Sequence, residues 1–196
     1  SEAFQLGGKR TQQVPFMKQR MDALIGKIGT GANAATVCEL PYAEGQLKMV
    51  IYIPDRVNGL NAMLAKLEHA KPNLTMQTVQ LSLPKWKAEQ SLNLKQTLQK
   101  LGMHKAFDRR QANFSGMHAD NDLFISQVIH KSFVEVGEAG TEAAAASGVI
   151  MILKSSLPLE LKEPLILRAD RPFAWAIVET QTGTPLFTGV VRDPNL

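Results

Sequence analysis

Gly140-Thr141-Glu142-Ala143-Ala144-Ala145-Ala146-Ser147-Gly148 runs without a break into Val149-Ile150-Met151-Ile152-Leu153. An alanine run ordinarily favours helix. Here Gly140 and Gly148 bracket it, and its apolar residues form no stripe that would mark a helical face. The five residues that follow are aliphatic and partly β-branched, a composition that seeks burial as a strand. A segment of low conformational commitment joined to a latent strand raises the question of movement.

Outward from that segment the chain is mostly strand. Val14-Pro15-Phe16-Met17, Ala35 to Leu40 and Leu47 to Pro54 read as strands, the last closed by its proline. Pro41-Tyr42-Ala43-Glu44-Gly45 has hairpin-turn chemistry. Lys18 to Lys27 is polar and reads as helical. Leu60 to His69 places Leu60, Met63, Leu64 and Leu67 at helical spacing, and Leu92 to Leu101 reads as a second helix ended by Gly102. Thr75 to Pro84, Leu123 to Val136, Phe173 to Val178 and Leu186 to Val191 are further extended stretches, with Thr182-Gly183-Thr184 turning between the last two. Strands with a few short helices and no regular βαβ rhythm predict an α+β fold of mixed sheets.

The chain has 196 residues, 44% apolar and 20% charged, an ordinary globular mixture with room for one hydrophobic core. No apolar run approaches the ~20 residues of a membrane-spanning helix, so no membrane partner is expected. Ser1-Glu2-Ala3-Phe4 carries neither the basic start nor the apolar run of a signal peptide. The formal net charge of +4 allows weak attraction to polyanions. Lys9-Arg10, Arg109-Arg110 and Lys85/Lys87 are scattered among acids and read as solvated surface, so no nucleic acid partner is expected. Cys38 is the only cysteine and alternates with apolar neighbours, which excludes an internal disulfide and predicts a small core residue.

Catalytic and cofactor chemistry is not indicated. Gly29-Thr30-Gly31-Ala32-Asn33-Ala34 matches a dinucleotide-binding spacing, but a helical-looking stretch precedes it and a strand follows, the reverse of the required context. His69, His104, His118 and His130 show no metal-ligand spacing, so no metal is expected. There is no G-x-S-x-G elbow. The chain is read as a non-enzyme without cofactor.

Several separate stretches, in order, carry a resemblance. Leu83-Pro84-Lys85-Trp86, Phe107-Asp108, Asn113-Phe114-Ser115-Gly116-Met117, Ser126 to Val136, Gly137 to Ala144, Ala169-Asp170-Arg171-Pro172-Phe173 and Leu186-Phe187-Thr188-Gly189 resemble the signature segments of the serpin family. Arg171 replaces the family's common His, Leu167 stands where Phe is frequent, and Asn113 replaces the usual Asp. The resemblance implies the C-terminal half of one serpin domain spanning 1–196, a partial serpin fold with an exposed reactive-centre loop at about 138–158 and the N-terminal half absent.

What the resemblance implies for function is specific. A protease cleaves the loop, which then inserts as a strand into a large sheet, an established example of strand addition and strain release in this family. Laid into a sheet, the loop sends Thr141, Ala143, Ala145, Ser147, Val149 and Met151 to the packed side and Glu142 to solvent. The leading residues are small and uncharged, so entry meets little steric or desolvation cost. The hinge implied is Glu138, Gly140, Thr141, Glu142, Ala143, Ala144, Ala145 and Ala146. The family's fixed loop length puts the scissile bond sixteen residues beyond Glu138, at Lys154-Ser155. A lysine there implies a trypsin-like serine protease, held as a covalent complex. A register displaced by one or two residues, or a cysteine protease, is the alternative.

By position, Lys85 and Glu138 match a salt bridge at the top of the sheet, and His130 matches a buried histidine that supports sheet opening. Asn73 and Asn113 head glycosylation sequons, with Asn113 expected to be too buried for modification; they favour a secreted, extracellular serpin over an intracellular one. A glycosaminoglycan partner is left open, because the family's usual site lies in the other half. The chain alone is expected to be inactive. The second class is a non-inhibitory serpin that acts as chaperone, carrier or storage protein, against which the alanine-rich hinge argues.

Overall fold

The computed structural model describes residues 1–67, 70–120, 122–137 and 163–195. Two compact units make up the chain, one of residues 1–87 with 135–196 and one of residues 88–134.

The larger unit is built on strands. β1 (Glu2–Gly7) and β2 (Arg10–Val14) form an antiparallel hairpin. Its turn places Gly7, Gly8 and Lys9 at positive φ, which two glycines make inexpensive. β3 (Phe16–Ile28), β4 (Ala35–Pro41), β5 (Leu47–Pro54), β6 (Thr75–Pro84), β9 (Leu165–Arg168), β10 (Phe173–Glu179) and β11 (Pro185–Val191) make a seven-stranded sheet in the order β11-β10-β5-β4-β3-β6-β9. All neighbours are antiparallel except β6 and β9.

The central strands are covered on both faces, which is why β5 reads as a continuous apolar run. Met49, Val50, Ile51 and Ile53 are all buried. One face of the sheet presents Ile28, Val37, Val50, Ala174, Ala176 and Val178 to Leu60 and Met63 of α1 (Leu60–Leu64). Cys38 pairs with Ile51 in register, and both are fully buried.

Two predicted helices need correction. Lys18 to Lys27 lies within β3, a strand of 13 residues with neighbours on both sides. Its polarity has period two, since Lys18, Arg20 and Asp22 are exposed while Gln19 and Met21 are half-buried. The Gly29–Ala34 stretch is therefore preceded by a strand after all, and the dinucleotide reading fails because a strand also follows. Gly29 and Gly31 take positive φ in this hairpin connection, and a Cβ at Gly29 would stand 2.5 Å from the Asn33 carbonyl oxygen. The helix expected over Leu60 to His69 stops at Leu64, where Ala65 N–H still reaches Asn61 O but Lys66 N–H turns to Met63 O. His69 lies outside the described residues.

The smaller unit holds most of β7 (Trp86–Asn93) and β8 (Ile129–Val136), which pair as a two-stranded sheet. α2 spans Lys95–Lys100, shorter than the predicted Leu92 to Leu101 because Leu92 and Asn93 end β7. The Asn93 carboxamide oxygen accepts the Lys95 N–H at 3.1 Å and turns the strand into the helix. Gly102, at φ +99, closes α2 as expected, with Met103 N–H bonded to Leu98 O and Gly102 N–H to Gln99 O. Only the second half of the Leu123 to Val136 stretch is strand. Before it, Ile125 N–H bonds to Ala106 O and Val128 O accepts the Leu94 N–H.

Candidate functional site

The hinge residues Glu138, Gly140, Thr141, Glu142, Ala143, Ala144, Ala145 and Ala146 and the bond Lys154-Ser155 lie outside the described residues. The structure does describe β8, which leads into that segment, and β9, which leaves it.

β9 is held tightly by its neighbours. Its four residues run parallel to the buried end of β6, from Val79↔Leu165 to Ser82↔Arg168, and Ala169 N–H continues the ladder to Ser82 O at 2.9 Å. Leu167, in place of the family's frequent Phe, is buried on this strand. Arg168 forms an ion pair with Glu2 of β1, and Glu2 also pairs with Lys18 of β3. Hydrogen bonds from Lys18 first, and from Arg168 second, hold the Glu2 carboxyl below its usual pKa. The Arg168 guanidinium also lies 5.8 Å from the Phe16 ring centroid. No sequence motif signals this set, because Glu2 and Arg168 are separated by nearly the whole chain.

The Ala169 to Phe173 signature becomes a connector between sheet and core. Gln5 N–H bonds to Asp170 O at 2.7 Å. Arg171 Nε donates to Asp170 Oδ1 at 2.9 Å and its Nη1 to the Asp55 carbonyl oxygen at 2.8 Å. The arginine that replaces the common histidine thus ties its own connector to the residue that follows β5. Phe173 is fully buried with its ring edge-on to Trp86, centroids 5.3 Å apart, and Trp175 lies 6.3 Å from Trp86. Gly189, opposite Trp175 across β10 and β11, has a plain reason to be glycine: a Cβ there would stand 2.7 Å from Trp175 Cζ2.

The supporting residues are less gathered. Lys85 is half-buried between β6 and β7, its N–H donating to Pro15 O at 3.0 Å, while its expected partner Glu138 lies outside the described residues. His130 was expected to be buried and is exposed. The reason is that β8 pairs only with β7 among the described residues, so Ile129 and Phe133 on the same strand are also about half exposed, at 49% and 54%. Asn73 is exposed, and so is Asn113, contrary to expectation. Asn113 Oδ1 accepts from Ser115 N–H at 3.1 Å and from Ser115 Oγ at 2.8 Å, a local turn that needs no burial.

Cys38 is the buried core residue its pattern predicts; burial first, and then the neighbouring Glu39 charge, pushes its thiol to about 12. Among the described residues no three metal-ligating side chains gather, and no helix is long and apolar enough to cross a membrane.

Comparison with known proteins agrees with this architecture. The family model Serpin (serine protease inhibitor) matches residues 1–194. Leukocyte elastase inhibitor A of Rattus norvegicus is 36% identical over 97% of this chain and 52% of its own length. Serpin B10 of Homo sapiens is 38% identical over 93% of this chain and 45% of its own length. The solved structure of cleaved Serpin 42Da superposes with a TM-score of 0.74 at 31% identity, covering 98% of this chain and 50% of that one. The chain thus spans about half the length of the relatives it matches. With the match running from the first strand hairpin to the last edge strand, the chain belongs to the serpin family.

Proposed function

We propose that this chain is the loop-bearing, C-terminal part of a single protease-inhibiting serpin domain, with its reactive-centre loop at about 138–158. In this reading a trypsin-like serine protease attacks the Lys154 carbonyl, the Lys154-Ser155 bond breaks, and the Ser155 amine leaves with a proton. The Lys154 acyl group stays on the enzyme's serine as an ester. Hinge insertion beside β8 then draws the enzyme away before water can hydrolyse that ester.

The observation that carries the reading is the side-chain register of the hinge. Thr141, Ala143, Ala145 and Ser147 are the residues an inserting strand must bury, and all four are small and uncharged. A carrier or storage protein has no need of that restriction. The family's description as serine protease inhibitors supports the same conclusion. A lysine at the cleaved bond fits the acidic specificity pocket of trypsin and not the small pocket of an elastase, so the target would differ from the one in the rat relative's name. Lys85 and His130 would act in a complete sheet, where β8 gains a second neighbour and His130 is covered. The single buried thiol suits an oxidising or a reducing compartment equally. The secreted reading rests on the sequons at Asn73 and Asn113 alone.

The test is to incubate the complete serpin that contains this chain with trypsin and run a denaturing gel, with Thr141→Arg as the comparison. A covalent band that the substitution abolishes, together with a released peptide beginning at Ser155 by mass spectrometry, is the expected result. Clean cleavage without a band would overturn the inhibitory reading and turn attention to the carrier class. A peptide beginning elsewhere would displace the scissile bond.

A further inference from the structure

What holds β9 is concentrated at one end. It is an edge strand of four residues, with β6 as its one sheet neighbour among the described residues. At its start Leu165 and Ile166 are 41% and 71% exposed, which leaves Leu167 as the strand's one buried apolar side chain. At its end Ala169 N–H continues the ladder, and Arg168 lies against the Phe16 ring, pairs with Glu2 and stands 3.7 Å from Asp170.

Glu2 is the centre of that end. Its carboxylate meets both Lys18 of β3 and Arg168 of β9, although β1 pairs with neither strand. Sheet register brings those two cations together. Lys18 and Arg168 are both paired with Ser82, from opposite sides of β6. Residues in register share a face, so the two side chains rise from the same face about 10 Å apart at the backbone. The other charges round Glu2 do not replace it. Asp170 accepts from Arg171 Nε at 2.9 Å, and Asp22, four residues along β3 from Lys18, accepts from Thr78 Oγ1 at 2.6 Å. Arg20 adds a further cation to β3, Arg10 stands at the far end of β2, and β6 carries no charged residue before Lys85 follows it.

The sign of the interaction therefore rests on one group. Ionised, Glu2 attracts a cation on each side. Neutral, it leaves Lys18 and Arg168 facing each other as like charges with no carboxylate between them. We propose that Glu2 is an electrostatic latch on β9: its carboxylate holds the Arg168 end to β1 and β3, and loss of that charge leaves a cation pair that drives the strand off. On the reading of 138–158 as a reactive-centre loop, the latch fixes that loop's far anchor. A loop tied at both ends can enter a sheet uncut only if one anchor gives, so Glu2 makes uptake wait for cleavage.

The test is amide hydrogen exchange of the 196-residue chain, read at Ala169, whose N–H bonds to Ser82 O, with the Ile51 amide of the buried β5 as the reference. Glu2→Gln near pH 6.5 should speed exchange at Ala169 at least about tenfold and leave Ile51 within about twofold. Glu39→Gln, which removes a carboxylate paired with Lys48 instead, should leave Ala169 within about twofold. Glu2→Gln/Lys18→Gln should be slower than Glu2→Gln by about threefold or more, because one of the two facing cations is gone. The wild-type chain supplies the same reading without a substitution: protection at Ala169, corrected for intrinsic rate, should fall as acid neutralises Glu2, before that at Ile51. An Ala169 rate unmoved by Glu2→Gln, or a rise shared equally by Ile51, would overturn the latch. Equal rates in the single and double variants would overturn the repulsive opening. In the complete serpin, Glu2→Gln stored uncut should lose its capacity to form the trypsin band at least about fivefold faster than wild type, the chain staying intact by mass. Loss at the wild-type rate, with Ala169 faster in exchange, would overturn the latch's hold on the loop. Absence of the band from fresh wild-type protein would instead count against the loop reading, and the exchange result alone would decide the latch.

Discussion

Gly189 and Trp175 face each other across β10 and β11, and the indole occupies the space where any other residue at 189 would put its Cβ. Trp175 is buried at 3% exposure and its ring is rigid, so it cannot yield as a flexible chain end would. Gly189→Ala is expected to cost about 1–3 kcal/mol by overpacking, read from denaturant unfolding. Trp175→Phe removes the atoms in the way, so a double-mutant cycle should return a coupling of at least about 0.5 kcal/mol; strict additivity would mean that the ring is not the obstacle. Glu2 makes a second prediction at this scale. Its folded pKa lies below the ordinary 4.5 because Lys18 and Arg168 stabilise the carboxylate. A depressed carboxyl contributes stability that is present above the unfolded pKa and fades as pH falls through the folded one. Glu2→Gln should therefore lower the midpoint of denaturation at pH 6–7 while leaving stability flatter below about pH 4.5. Equal losses at pH 3 and pH 7 would show that the ion pairs are not the cause. The glycine of Leu186-Phe187-Thr188-Gly189 was readable as a signature without its reason. Glu2 was not readable at all, since its partners come from residues 18 and 168 on strands of another sheet, with which β1 does not pair.

At the scale of elements, legibility followed burial. Leu47 to Pro54 and Thr75 to Pro84 were bounded correctly from sequence because buried apolar side chains and closing prolines carry a strong local signal. β3 was misread because its first half is a strand with an exposed face, where Lys18, Arg20 and Asp22 look like a polar helix unless their period is counted. β1, β2, β7 and β9 are either polar or very short, and their identity comes from pairing partners more than from composition. α1 illustrates the opposite case, a helix of five residues too short to stand on propensity and held by what it covers. Met63 is 1% exposed and packs with Leu60 on Val37, Val50 and Ala176 of the sheet. Met63→Ala should cost about 2–5 kcal/mol, whereas Lys66→Ala, on the exposed turn that follows, should stay within about 0.5 kcal/mol. Thermal or denaturant unfolding followed by tryptophan fluorescence would separate them, and equal effects would deny α1 its covering role.

At the scale of the whole molecule, the family was legible because its signature segments are spread from Leu83 to Gly189 and agree in order. The state of β8 was not legible, because burial of its residues depends on a neighbour that no local pattern encodes. In this chain β8 pairs with β7 alone among the described residues, and Ile129, Phe133 and Leu92 stand partly exposed on the two strands. Trapping a protease requires the cleaved hinge to be taken up faster than water hydrolyses the acyl-enzyme. That in turn requires sheet neighbours ready to hydrogen-bond an incoming strand on both edges and a packed face to receive Thr141, Ala143 and Ala145. A two-stranded ribbon with exposed apolar side chains supplies one edge and no such face. The 196-residue chain by itself is therefore expected to be cut by trypsin after Lys154 and to release the enzyme fully active, with no band of higher mass on a denaturing gel. Supplying the complementary half of a serpin as a separate polypeptide should restore part of the covalent band if assembly of the sheet is the missing step. A detergent-stable complex from the isolated chain would refute this account, since insertion would then need no more sheet than β7 and β8 provide.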